Sequence, residues 1–309
     1  DYKDGDRVFD IYLCKYKSSA MTKNGKPYEN IVLQDKTGTI DGKIWEPNNA
    51  GIGEFEIFDY IEVYGDVSSF QGALQVSIKR TRKCKEGEYN AADYLPLSPH
   101  DIDGMYQELL GYVKHLENKH LKALLTEIFI NDEAFAEAFR KSSAAKTIHH
   151  GFVGGLLHHT LSVVKMCEFY ASLYPILKKD LLISAALCHD IGKTRELSAF
   201  PHNDYTDEGQ FIGHIVMGSE MVGKIIDKIP DFPAILATEL KHCILSHHGE
   251  FEYGSPKKPA IIEAVALNFA DNTDAKLQAF DEIMDSSKSL DWQGYSRLFE
   301  SNIIATRME

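Results

Sequence analysis

Ala185-Ala186-Leu187-Cys188-His189-Asp190-Ile191-Gly192-Lys193 decides how this chain is read. An apolar run of this kind predicts a buried helix, and this one leads straight into a histidine, an aspartate and a glycine. Glycine is a common helix stop, so the helix is expected to end at Gly192 and to project an imidazole and a carboxylate into a cavity. Those two ligand types hold divalent transition metals, and the adjacent His-Asp step can put one carboxylate between two ions.

Other histidines and an aspartate stand at comparable places downstream and upstream. His159 lies in Gly154-Gly155-Leu156-Leu157-His158-His159-Thr160, at the start of a helix expected to reach Tyr170. His214 follows Gly213 and opens a helix from Ile215 to Ile226, while His247 and His248 close one from Ala237 to Ser246. Asp271 sits in an apolar helix from Ala260 to Ala270, where an unpaired carboxylate is costly to bury. Each histidine alone would be read as an ordinary hydrogen-bonded residue. Together, on helix ends of one region, they point to a metal-dependent hydrolase. His158 competes with His159 for the first position, and His100, His115, His120, His202 and His242 belong to no such group.

The rest of the 309 residues divides around this region. Residues 6 to 83 read as five short strands. Phe9, Ile11 and Leu13 alternate with polar or amphipathic neighbours, as do Ile40, Gly42 and Ile44, then Ile61, Val63 and Gly65, then Leu74, Val76 and Ile78; residues 28 to 33 complete the set. Five antiparallel strands in so short a span suit an OB-fold β-barrel. The chain is therefore expected to be multidomain, with a five-stranded barrel (1–88) followed by an all-α region. That region comprises a linker and leading helices (89–143), the histidine-rich domain (144–275) and C-terminal helices packing on it (276–309).

Composition sets further bounds. Residues 1–88 carry 13 Lys and Arg against 15 Asp and Glu, so most of the net charge of −13 belongs to the remainder. Lys79, Arg80, Arg82, Lys83 and Lys85 form a basic stretch that suits either phosphates or a solvated strand end. Five cysteines without a CxxC pair argue against a disulfide framework and a thiolate zinc site. No apolar run approaches the ~20 residues that cross a bilayer, and the first residues lack signal-peptide character, so a cytoplasmic protein with no membrane association is expected.

The order His159, His189-Asp190, His214, His247-His248, Asp271 resembles the HD superfamily of metal-dependent phosphohydrolases, an all-helical fold. The resemblance implies one ion on His159, His189, Asp190 and Asp271, and a second sharing Asp190 and adding His214, His247 and His248. It also implies that Lys193 aims its ammonium at a substrate phosphate. Gly25-Lys26-Pro27-Tyr28, Leu33-Gln34-Asp35-Lys36-Thr37-Gly38 and Ile44-Trp45 resemble OB domains of the tRNA-anticodon-binding type. There Tyr28, Lys43, Trp45 and Phe70 would form a base-stacking face, joined by Lys79, Arg80 and Arg82. The competing reading is that Tyr28 and Trp45 simply fill the barrel.

Across its length the chain is similar to the YhaM family of bacterial 3′→5′ exoribonucleases, through His149-His150-Gly151-Phe152-Val153-Gly154-Gly155-Leu156-Leu157, Ser246-His247-His248-Gly249 and Ala270-Asp271-Asn272-Thr273-Asp274-Ala275-Lys276. That likeness implies hydrolysis of single-stranded RNA, and of single-stranded DNA, to nucleoside 5′-monophosphates by a two-metal mechanism. Manganese is the expected ion, with Fe²⁺, Co²⁺ or Ni²⁺ as alternatives. His149 or His150 would protonate the leaving oxygen or hold the terminal nucleotide, and Lys257 and Lys258 would line the substrate path. The rival readings are a phosphohydrolase of small nucleotides (dNTPs or cyclic nucleotides), a catalytically inactive nucleic-acid-binding protein and, more distantly, an oxygenase on the same scaffold. Apolar residues near the C-terminus would suit an interface in a homo-oligomer.

Overall fold

The computed structural model describes residues 2–70, 72–96, 98, 100–146, 151–287 and 291–307. Contacts divide the chain into two compact units, Asp1–Leu97 with Phe200–His202, and Ser98–Ala199 with Asn203–Glu309.

The first unit is a closed barrel of β1 (Arg7–Met21), β2 (Pro27–Asp35), β3 (Gly38–Ile44), β4 (Tyr60–Phe70) and β5 (Ala73–Lys83), in the order β1-β2-β3-β5-β4. Closure depends on the length of β1, which pairs with β4 over its first half and with β2 over its second. Elsewhere, β3 and β5 run parallel, with Gly42 opposite Val76. A side chain at Gly65 of β4 would have its Cβ 2.5 Å from the Ser77 carbonyl of β5, so only glycine lets those strands approach. Ile31, Leu33, Ile44, Ile61, Val63, Val76 and Ile78 fill the interior, which makes this an OB-like barrel. Residues 89–94 stay with it: Tyr89 stacks on Tyr60 at 3.8 Å, and Gln34 donates to the Tyr94 carbonyl.

The first half of β1 faces the opposite way from the alternation of Phe9, Ile11 and Leu13. Val8, Tyr12 and Cys14 point inward, while Phe9 is 71% exposed. β1 offers two alternating apolar sets, and pairing on both edges selects one. A register shift between Cys14 and Tyr16 then lets adjacent Leu13 and Cys14 both be buried.

The second unit is helical. α1 (Ile102–His115), α2 (Lys119–Thr126) and α3 (Glu133–Lys141) lead in, capped by the side chains of Asp101, Asn118 and Asp132. α4 (Gly155–Leu173), α5 (Lys179–Cys188), α9 (Ala234–Ser246) and α10 (Ile262–Ser287) form the body, and α6 (Lys193–Glu196), α7 (Asp207–Ile212) and α8 (His214–Ile226) lie between α5 and α9. Leu181 to Cys188 of α5, Ser184 among them, are all buried, as a helix apolar on nearly every face requires. None of the helices is long and apolar enough to cross a membrane among the described residues.

Two further expectations are corrected. Helix α5 ends at Cys188, four residues before Gly192, and Gly192 has an ordinary helical φ of −62°. Its smallness serves packing, because a Cβ there would sit 2.0 Å from the His214 carbonyl. The stretch after residue 275 is the continuation of α10 and then a hairpin of β6 (Tyr295–Ser296) with β7 (Ser301–Asn302), rather than packed terminal helices. Gly294 at φ +84° breaks helical geometry, and Trp292 and Tyr295 remain 66% exposed.

Candidate metal centre

Helix α5 delivers the first two groups. Its last carbonyls lack helical donors, and that of Ala186 accepts the His189 Nδ1–H at 2.7 Å. Helix α9 ends the same way, with His247 Nδ1 donating to the Ile244 carbonyl at 2.7 Å. His248 Nδ1 donates to the Tyr253 carbonyl at 2.8 Å. From α4, His159 Nδ1 donates to Asp274 Oδ2 at 2.7 Å, and from the start of α8, His214 Nδ1 donates to Glu196 Oε1 at 2.9 Å. Carbonyl and ionised carboxylate oxygens only accept, so every Nδ1 carries a proton. In the neutral rings each Nε2 then presents a lone pair.

Those nitrogens gather in two sets. His159, His189 and Asp271 place one ligand atom each within 4.8 Å of one another, and so do His214, His247 and His248. Asp190, 2% exposed, lies against both. Its Oδ2 is 3.4 Å from the Nε2 atoms of His159 and His189, and its Oδ1 is 3.4 and 3.5 Å from those of His214 and His247. Asp271 Oδ1 is 3.2 Å from His159 Nε2.

The donor set fits divalent cations. Asp190 Oδ1, His214 Nε2 and His247 Nε2 are buried without a hydrogen-bond partner, a costly arrangement for a protein interior unless a cation uses them. His159 Nε2 and His189 Nε2 lie 3.1 Å apart, and two lone pairs at that distance need a proton or a metal between them. Burial alone would lower the His159 pKa, but Asp190, Asp271 and Asp274 outweigh it and hold it well above the usual value. Burial would likewise raise Asp190, yet the Lys193 ammonium and His189 hold it well below the carboxylate range. Desolvation pushes His248 down to about 4 and also lowers His247.

His158 turns elsewhere, its ring 4.5 Å from that of His100 and 6.2 Å from that of Phe152. Lys193 Nζ sits 2.7 Å from Asp190 Oδ2 with its side chain 15% exposed, which places its ammonium at the centre. His149 and His150 lie outside the described residues. Sequence reasoning missed Asp274 and Glu196. Asp274 was signalled by its spacing, since three residues after Asp271 on a helix is the same face. Glu196 had no comparable signal.

On the barrel, Tyr28 and Trp45 stack at 5.3 Å, with Trp45 46% exposed, so neither fills the interior. Lys43 bonds Asn30 and lies over the Tyr28 ring, and Phe70 is exposed. The basic stretch is largely neutralised: Lys79 pairs with Asp66, Arg82 with Glu62 and Glu88, and Lys83 with Asp59. Arg80 has no ion pair among the described residues. In the helical unit Lys258 pairs with Glu250, while Lys257 has no ion pair among the described residues.

Residues 156–276 match the HD domain family. The chain is 33% identical over 292 residues to the 3′-5′ exoribonuclease YhaM of Geobacillus sp. (strain WCH70), covering 93% of this chain and 88% of that protein. This chain belongs to the YhaM family. Two solved structures also align, each at 20% identity over 28% of this chain. They are a replication protein A heterotrimer bound to ssDNA (62% of that chain, TM-score 0.22) and the second OB-fold domain of replication protein A from Methanococcus maripaludis (88%, TM-score 0.21). Within the YhaM family, the HD match spans all seven histidine and aspartate side chains of the centre together with Glu196 and Asp274.

Proposed function

We propose that this protein is a 3′→5′ exoribonuclease that removes nucleoside 5′-monophosphates from single-stranded RNA, and from single-stranded DNA, at a centre for two divalent ions. The observation that carries the reading is Asp190, whose two oxygens face two separate histidine sets. His159, His189 and Asp271 would hold one ion and His214, His247 and His248 the other, with Asp190 shared. Imidazole-rich, thiolate-free ligation favours Mn²⁺, Fe²⁺, Co²⁺ or Ni²⁺ over Mg²⁺, and manganese is the working choice. When bound, the ions supply charge opposite the scissile phosphate and a water acidic enough to attack near neutral pH.

In the reaction, water oxygen bonds to phosphorus and the bond from phosphorus to the neighbouring nucleotide's 3′ oxygen breaks. That oxygen leaves with a proton. Lys193, beside Asp190, would stabilise negative charge on the phosphoryl oxygens. On the barrel, the Tyr28–Trp45 stack and Lys43 offer a platform for unpaired bases. Timed digestion of 5′-labelled single-stranded RNA and DNA with Mn²⁺, Mg²⁺ or chelator tests the proposal. A ladder shortening from the 3′ end, lost in Asp190→Ala, is expected; internal cuts, or hydrolysis of dNTPs and cyclic nucleotides alone, would overturn it.

A further inference from the structure

Five imidazoles face the centre, and they differ in what holds them. His189, His247 and His248 lean on main-chain carbonyls. His159 and His214 lean on carboxylates instead, Asp274 and Glu196, which are 7% and 8% exposed. Each histidine set thus contains one carboxylate-backed ring. A carbonyl orients an imidazole as a neutral dipole, whereas a carboxylate brings a full charge that strengthens the ring's Nε2 as a donor toward a cation.

We propose that Asp274 and Glu196 are positioning residues that tune the two cation positions separately, Asp274 the one at His159, His189 and Asp271, and Glu196 the one at His214, His247 and His248. The proposal rests on the two-ion reading above. Local architecture favours independent control. Asp274 stands one helical turn beyond Asp271 on α10, so a single helix face supplies one prospective ligand and the group that orients another. Glu196 ends α6 and is fixed from several sides: its Oε1 accepts from both the His214 main-chain N–H and Nδ1 at 2.9 Å, and its carbonyl accepts from Thr206 N at 2.9 Å. A Cβ at Gly209 would lie 2.3 Å from that carbonyl, so the returning chain has no slack with which to compensate.

Asp274→Asn and Glu196→Gln in the full chain keep shape and acceptor oxygen while removing charge. Manganese titration by calorimetry gives the number and affinity of ions, and anomalous diffraction at the manganese edge identifies which position empties. Asp274→Asn should weaken the first position alone by about 10- to 100-fold, and Glu196→Gln the second alone by a similar factor. Asp274→Glu and Glu196→Asp, which retain the charge, should recover part of the loss at the same position, and they carry the test if a neutral variant does not fold. Two ions in the wild type with equal weakening at both positions, or no weakening at either, would overturn the division of labour. A single ion in the wild type would overturn the two-ion reading itself, and the division with it.

Discussion

His189 and His247 each follow the last residue of a helix, and each gives its Nδ1–H to a carbonyl three residues back. The helix end thereby satisfies its own orphan acceptor and aims Nε2 inward. Asp190 receives what these rings face, and its charge is matched by Lys193. Removing one member of a buried pair leaves the other uncompensated, at a cost of about 3 kcal/mol. In chelator, Asp190→Asn should therefore melt well below wild type, and Asp190→Asn with Lys193→Met should recover much of that loss. On the two-ion proposal, in which Asp190 is the shared ligand, both variants should lose more than about 100-fold in RNA hydrolysis. A double variant no more stable than the single one would show that the ion pair is not the cause. His248 sets a pH dependence of defined sign. Its pKa is depressed from 6.5 to about 4 by burial, so the unfolded chain binds a proton that the folded, metal-free chain refuses. Its contribution is complete above pH 6.5 and is lost as pH falls toward 4. Melting curves of the chelated protein across that window should fall less steeply in His248→Gln than in wild type.

Glycine positions show what helices and strands reveal before they are folded. Gly192 has the local context of a helix stop, yet its backbone is ordinary and its neighbour is the His214 carbonyl. That contact joins residues far apart in the chain, and no local pattern encodes it. Gly192→Ala should force α8 away from the start of α6, costing at least the ~1–3 kcal/mol typical of overpacking and lowering metal occupancy at His214. Gly111→Ala, in α1 with nothing within 4 Å of the new Cβ, should instead stabilise by about 0.5–1 kcal/mol. Thermal melts and manganese counts on the pair separate close packing from helix propensity. The same division governs what was legible. The apolar run of α5, the helix starts just before His159 and at His214 and the alternation in β4 and β5 are local, and they could be read directly. The facing of β1 depends on two partner strands, and the union of Asp271 with the later part of α10 depends on a helix whose apolar signal fades after Ala270. Neither Glu196 nor the engagement of Lys193 could be read: the first meets His214 beyond the whole of α7, and the second is a side-chain contact with Asp190 that spacing alone does not specify.

The two units of the molecule differ in charge and in aromatic surface. Most of the net charge of −13 lies beyond residue 88, where bound cations would offset it. In the barrel, by contrast, the conspicuous lysines and arginines are mostly held by Asp59, Glu62, Asp66 and Glu88, so the sequence overstates their availability to phosphates. What the barrel does offer is stacking area at Tyr28 and Trp45, with Lys43 alongside. Stacking is worth ~1–3 kcal/mol per base and is gained only by a strand long enough to reach a second binding region. Tyr28→Ala with Trp45→Ala should therefore raise KM for oligonucleotides by about 10-fold or more while leaving kcat nearly unchanged. Hydrolysis of a dinucleotide should not change, because it has no bases to spare for the platform. Steady-state kinetics on a length series of RNAs measures this split, and an equal loss on dinucleotide and long RNA would mean that the barrel residues support the fold rather than hold the strand.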